Sequence, residues 1–205
     1  MRRVHRPSVA WALLAAPLLA LACDPADTGG ELDVEPEFRV AVGNVENTDI
    51  VLGALVDGDS LAIYQCGGDE TFETHTGWFN GEIDEDEAFS MTLHGMELSG
   101  TRDEDGLSGE LVDAEGNRHA FRVDAVEDDA TDGIYVVEDA GVSVGVVVQE
   151  QGGALTAQGS GCDERRACAQ VIILAPLTVE DDAIDVQIDF EGVRDLTVTR
   201  TLAAP

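Results

Sequence analysis

From residue 38 onward, apolar and polar residues alternate with a period of two, and turn-forming residues recur every eight to twelve positions. This pattern is typical of short β-strands. Phe89, Met91 and Leu93, for example, share one face of a predicted strand, while Ser90 and Thr92 take the other face. No stretch carries the apolar stripe of a surface helix. The pattern therefore predicts an all-β domain.

We predict thirteen strands, at residues 38–45, 50–56, 61–66, 78–83, 89–94, 107–112, 119–126, 133–137, 142–150, 154–157, 169–174, 184–190 and 196–202. Short turns between successive strands predict antiparallel neighbours in a meander. A sandwich and a small closed or partly closed barrel would both protect the strand edges, and the pattern does not choose between them. The globular region spans residues 38–205, either as one domain or as two joined halves at 38–126 and 133–205.

The N-terminus has a different pattern. Three arginines within the first six residues precede an apolar run without charge at residues 9–22, as in a secretion signal. Fourteen helical residues extend roughly 21 Å, less than the ~30 Å hydrocarbon core of a bilayer, and Pro17 disfavours a persistent helix. We therefore predict a signal peptide at residues 1–22.

The end of this segment resembles a known motif. Ala22 directly precedes Cys23, with Leu19 and Leu21 upstream. This resembles the lipobox of bacterial lipoproteins, in which the cysteine becomes the lipidated first residue, although Ala20 stands where that motif usually has leucine. The resemblance implies a lipidated Cys23 and an extracytoplasmic place in the cell envelope, with the membrane and leaflet left open. The alternative is an ordinary signal cleaved after Ala20 or Ala22.

Residues 24–37 are acidic, with two prolines and a glycine pair, and predict a flexible linker after Cys23.

The net charge of the chain limits which partners it can bind. The chain has 11 Arg, no Lys and 42 acidic residues; three arginines lie in the signal peptide, so the mature part keeps eight and a formal charge of −34. Such a surface repels phosphates, which excludes nucleic acid and predicts membrane contact through the lipid anchor only.

Acidic clusters occur where turns are predicted, at residues 57–59, 84–87, 103–105, 127–132 and 180–185. They are interpreted first as a solubility feature, and weak binding of divalent cations at one turn is the alternative. The pattern from Asp128 has Ala130 at its third position and strands on both sides, so it is not an EF-hand. No cofactor or metal site is assigned.

Four further stretches carry a second resemblance: G-N-V-E-N-T-D at 43–49, V-D-G-D-S-L-A-I-Y-Q-C-G at 56–67, G-W-F-N-G at 77–81 and G-L-S-G-E-L at 106–111. They resemble a β-rich extracytoplasmic domain of uncharacterised bacterial secreted proteins and lipoproteins. The resemblance covers about residues 38–137. It implies a fold class and a compartment, and no activity.

Three cysteines follow Cys23. Cys162 and Cys168 bracket a polar loop, and an oxidising compartment would allow them to form a disulfide that leaves Cys66 free. The alternative pairs Cys66 with one of them and ties the two halves together. The C-x5-C spacing lacks the C-x2-C arrangement of structural zinc sites.

Candidate chemistry elsewhere is sparse. Ser143 lies in a G-x-S-x-G pattern, but the residues after it predict a continuing strand rather than the strand-to-helix turn that such a nucleophile needs. His75, His94 and His119 have no spacing that predicts a shared zinc site.

One aromatic pair is a candidate for ligand contact. Trp78 and Phe79 are adjacent in a predicted strand and therefore face opposite sides. We expect one ring in the core and assign Trp78 as the candidate contact to a ligand. The alternative places both rings in the core or under a loop.

Together these features predict a lipid-anchored module of the cell envelope without enzymatic activity, which binds an envelope protein or glycan or serves a structural role. The alternative is an envelope hydrolase. That alternative requires a pocket in which titratable groups converge, and we assign no catalytic residue.

Overall fold

The computed structural model describes residues 38–165, 167–190 and 192–203; the predicted signal peptide, Cys23 and the linker at 24–37 lie outside them. The described chain is all-β, and its strand pairs are antiparallel, as the alternation predicts. Within these ranges, no helix is long and apolar enough to span a bilayer.

The strands divide into two sets. The first set comprises β1 (Val40–Val45), β2 (Val51–Asp57), β3 (Ser60–Cys66), β4 (Gly77–Glu82), β5 (Ala88–Leu93), β6 (Met96–Asp103), β7 (Gly106–Val112) and β8 (Arg118–Ala125). The second set comprises β9 (Gly133–Asp139), β10 (Val142–Gln151), β11 (Ala154–Asp163), β12 (Cys168–Ile173), β13 (Ala183–Asp189) and β14 (Val193–Thr201).

The first set forms one eight-stranded sheet in the order β4-β3-β2-β1-β8-β7-β6-β5. Pairing of β1 with β8 brings the two ends of this set together in the middle of the sheet. The sheet curls around an apolar core that includes Leu52, Ile63, Phe79 and Leu98. Its edge strands approach each other, since Met91 of β5 lies against β4.

The second set closes into a six-stranded barrel in the order β10-β11-β12-β13-β14-β9, with β9 paired to both β10 and β14. Closure removes the free strand edges that an antiparallel meander otherwise exposes. Alternate residues of the strands fill the interior, among them Val144, Val146, Val186 and Val198. The sequence did not choose between a sandwich and a barrel. In the structure, the first strand set forms a curled sheet and the second forms a closed barrel.

A third apolar core joins the two sets. It lies between the outer faces of β1–β3 and strands β9 and β10, and its members are Val40, Val42, Leu55, Ala62, Tyr64, Cys66, Ile134 and Val147. Strands β2 and β3 are therefore apolar on both faces, and such doubly buried strands appear as continuous apolar runs. Gly53 permits close contact, because a Cβ there would lie 2.5 Å from Cγ1 of Ile134.

Polar groups tie the same junction together. The buried hydroxyl of Tyr64 donates to the carbonyl of Gly145 at 3.0 Å and lies 2.7 Å from Oγ of Ser160, whose amide donates to it at 3.0 Å. Gln158 donates from Nε2 to the carbonyls of Asp49, at 2.9 Å, and Cys66, at 2.6 Å. Since buried polar groups are costly to leave unpaired, these bonds fix how the two sets meet.

Two elements differ most from the predicted strands. The sequence prediction missed β6, in which Met96 and Leu98 are buried but Gly100 interrupts the alternation. Strand β11 continues six residues past the predicted end at 157, through a segment whose glycines and serine carry no apolar pattern. In both cases, small residues within a packed strand interrupt the apolar alternation on which the prediction depends.

Candidate functional site

Cys23, the predicted lipidation site, lies outside the described residues. The predicted disulfide lies within the described residues. Cys162 of β11 and Cys168 of β12 are directly opposite each other and form this bond. The carboxylate of Asp163 accepts hydrogen bonds from the amides of Arg165 and Ala167 at 2.9 Å. The bond from Ala167 is the main cause of the lowered pKa of Asp163. The loop between β11 and β12 is thus held at its base and from within.

Cys66 is free and buried in the junction core. Burial raises the pKa of its thiol to about 11. The thiolate is the nucleophilic form of cysteine, so this thiol is unreactive near neutral pH. Cys66 therefore has a packing role.

Trp78 lies partly buried beside the junction core. Its ring centroid is 5.0 Å from that of Tyr64, with the ring planes tilted by 35°. Phe79, the next residue, is fully buried in the core of the first sheet. The two rings face opposite sides of β4, and the indole of Trp78 packs on Tyr64 with part of its surface exposed to solvent; its contact with a ligand stays a prediction.

Ser143 lies in strand β10, which continues to Gln151. Its hydroxyl donates to a carboxylate oxygen of Glu138 at 3.5 Å, across the β9–β10 pair. A nucleophile elbow instead places its serine on a tight turn between a strand and a helix. The G-x-S-x-G pattern therefore belongs to a β-hairpin.

The three histidines of the described residues lie on different elements. His75 follows β3 and lies 2.7 Å from the hydroxyl of Thr74, and His94 forms the tight turn between β5 and β6. His119 of β8 lies 3.8 Å from the carboxylate of Asp113. No group of three potential metal ligands is present in the described part of the chain.

The acidic turns have local roles. Asp84 accepts from the amides of Asp86 and Ala88, and Asp103 accepts from the amide of Asp105, at 2.9 Å in each case. An aspartate that bonds the backbone a few residues onward stabilises a tight turn. Much of the acidity at turns is thus explained by turn formation.

A groove of about 500 Å³ lies at the junction of the two strand sets. Asp49, Asp69 and Glu70 line one side, and the amides of Gln158 and Gln170 line the other. Burial opposes ionisation of Asp49, but hydrogen bonds from Thr71 and the Glu70 amide outweigh it and lower the pKa of Asp49. The groove is polar and presents mainly hydrogen-bond acceptors.

A second cavity, of about 320 Å³, lies at one mouth of the barrel, where the β9–β10, β11–β12 and β13–β14 turns meet. Val142 and Phe190, which pack on the barrel core, form an apolar floor. Glu164, Arg165 and Arg194 stand at the rim. We call this cavity the mouth site.

Arg194 reaches the mouth site from the inner face of the barrel. It is directly opposite Ile188, which is fully buried in the barrel core, and opposite residues of an antiparallel pair share a face. Among the described residues, Arg194 has no ion-pair partner, whereas Arg165 is paired with Asp163 at 2.9 Å. Sequence reasoning missed Arg194, although V-R-D-L-T-V places it in register with Leu196 and Val198.

In comparisons with known proteins, no family model, no curated protein and no solved structure matches the chain.

Proposed function

We propose that this protein is a lipid-anchored binding module of the cell envelope, whose paired β-structures are held outside the membrane on an acidic tether. The observation that supports the binding role is the mouth site, which combines an apolar floor with a charged rim. Ligand sites are usually concave, mostly apolar and bounded by a few polar groups. Loops held on a rigid scaffold commonly carry such sites.

The lipobox-like sequence that ends at Cys23 supports the anchored part of the proposal. Acyl chains on Cys23 would hold the module at a bilayer, because each buried methylene contributes about 0.8 kcal/mol. The linker at 24–37 would reach roughly 45 Å when extended. Repulsion between its acidic side chains and anionic headgroups, which acts within about 8 Å at physiological salt, favours that extension near the surface. The module would then stand clear of the headgroups.

The many contacts between the two strand sets support a preformed binding site rather than a role that requires the sets to move apart. Tyr64, Gln149 and Gln158 each make hydrogen bonds between the two strand sets, around a shared apolar core. A site on such a scaffold is ordered before its ligand arrives, which lowers the entropic cost of binding.

Cell fractionation tests the location. The wild-type protein is expected in the membrane fraction and accessible to protease added from outside the cytoplasm, whereas Cys23→Ser is expected in the soluble extracytoplasmic fraction or as an uncleaved precursor. Wild-type protein found soluble in the cytoplasm would contradict the proposal.

A hydrolase assay tests the competing function. We expect hydrolysis of p-nitrophenyl acetate by the purified protein to stay at the buffer rate, and Ser143→Ala to behave like the wild type. Hydrolysis above that rate that disappears in Ser143→Ala would favour the hydrolase and refute the binding module.

A further inference from the structure

The rim of the mouth site carries two opposite charges that do not meet. Arg194 rises from the inner face of β14, and Glu164 lies on the β11–β12 loop. A carboxylate oxygen of Glu164 lies near the backbone of Gly141 on a third turn, 3.1 Å from where a Cβ would stand. Glu164 and Arg194 form no ion pair with each other. One cavity thus offers both a cation and an anion to a ligand.

The other two charged residues that line the cavity in the described chain, Asp163 and Arg165, neutralise each other. Asp163 is paired with Arg165 and also accepts two backbone amides. Its negative charge is therefore balanced within the loop. Among the described residues that line the cavity, Glu164 and Arg194 remain as the charged groups that a bound molecule would meet at the rim.

The floor between these charges is apolar. Val142 is 6% exposed, and Phe190 packs on the barrel core below the rim. The fully buried Ile188 lies opposite Arg194 and closes the barrel beneath it. At about 320 Å³, the cavity is at the small end of the range for ligand sites, roughly 300–1,000 Å³.

We propose that the mouth site binds a free α-amino acid with an apolar side chain. Its carboxylate contacts the guanidinium of Arg194, its ammonium contacts Glu164, and its side chain lies on Val142 and Phe190. This assignment rests on the proposed binding function and names its ligand class.

The charge of the whole protein favours a zwitterion. The chain has a formal net charge of −31, which repels small anions. A zwitterion has no net charge, so this repulsion does not act on it as a whole. Its two ends still gain charge-assisted hydrogen bonds, which are stronger than bonds between neutral groups.

The loop that carries Glu164 is held in place before binding. The disulfide between Cys162 and Cys168 closes its base, and Asp163 bonds the amides of Arg165 and Ala167. Ordering a loop costs binding energy, so a loop already fixed keeps more of the contact energy as affinity.

Calorimetric titration of the mature protein in detergent micelles tests the assignment. Leucine and phenylalanine are expected to bind. Leucinamide, which lacks the carboxylate, and N-acetyl-leucine, which lacks the ammonium, are each expected to bind at least about tenfold more weakly, the loss expected for one charge-assisted bond. Glycine, which lacks an apolar side chain, is expected to show no binding.

Two variants locate the contacts. Arg194→Gln should lose most of the discrimination between leucine and leucinamide, and Glu164→Gln should lose most of the discrimination between leucine and N-acetyl-leucine. Arg39→Gln is the matched control, because Arg39 is also exposed and also lacks an ion-pair partner in the described chain. It should bind like the wild type. Unchanged urea midpoints would show that all three variants fold.

The outcomes separate this assignment from the proposed function. Failure of leucine and phenylalanine to bind, or equal loss in Arg194→Gln and Arg39→Gln, would overturn the ligand class even if the protein is acylated and membrane-bound. Conversely, an unmodified cytoplasmic protein that still discriminates leucine from leucinamide would uphold the ligand class and overturn the envelope function.

Discussion

Replacement of Tyr64 by Phe removes one hydroxyl from the junction between the two strand sets. That hydroxyl is bonded to the carbonyl of Gly145 and to both the side chain and the amide of Ser160. Tyr64 and Ser160 are 2% and 3% exposed, so water cannot readily replace the lost partner. Because the ring itself stays, the change isolates the polar contribution to the junction.

The magnitude follows from the groups left behind. A buried polar group without a partner costs about 1–3 kcal/mol. With Gly145 and Ser160 affected together, we expect Tyr64→Phe to reduce the free energy of unfolding by about 2–4 kcal/mol. That is a large share of the ~5–15 kcal/mol typical of a folded domain.

Urea unfolding followed by tryptophan fluorescence measures this change. Trp78 is the only tryptophan after the predicted signal peptide, and its ring packs on Tyr64. The matched control is Tyr135→Phe, because Tyr135 is also buried but makes a single hydrogen bond, to the carbonyl of Thr131. That control should lose about 1 kcal/mol. If Tyr64→Phe costs no more than Tyr135→Phe, the junction is not held by this hydroxyl and the reasoning is refuted.

Three further changes test other parts of the structure. Burial raises the pKa of the Cys66 thiol from about 9 to about 11, so stability should be intact below pH 9 and fall by roughly 3 kcal/mol as pH rises through 11. Urea midpoints measured against pH should fall less steeply in Cys66→Ala than in the wild type. An identical fall would show that ionisation of Cys66 does not cause the loss of stability. Joint replacement of Cys162 and Cys168 by Ser should cost about 2 kcal/mol by chemical denaturation, and no loss would mean that the loop is held without the disulfide. Gly53→Ala should cost about 1–3 kcal/mol, because its Cβ would lie 2.5 Å from Cγ1 of Ile134; unchanged thermal stability would show that the junction has free space.

The fold class was predictable because alternation along single strands reports which face is buried. The pairing of β1 with β8 was not predictable, since it joins residues about 80 positions apart through backbone groups that every sequence has. The continuous apolar runs in β2 and β3 did carry a signal for the junction, because a strand buried on both faces loses its alternation.

The candidate site was less predictable than the fold. The disulfide follows from two cysteines that flank a short polar loop. The mouth site instead depends on three turns that meet only when the barrel closes. No fixed spacing in the sequence therefore indicates that Glu164 and Arg194 lie at the same cavity. The in-register position of Arg194 on an otherwise apolar face was the one local clue.

Intact mass spectrometry of the protein purified from membranes tests the central claim most directly, because the proposed function depends on an anchor at Cys23. We predict a mature chain that begins at Cys23 and carries the added mass of acyl chains on that residue. A chain that retains Met1, or one that begins at Cys23 without acyl mass, would contradict the account.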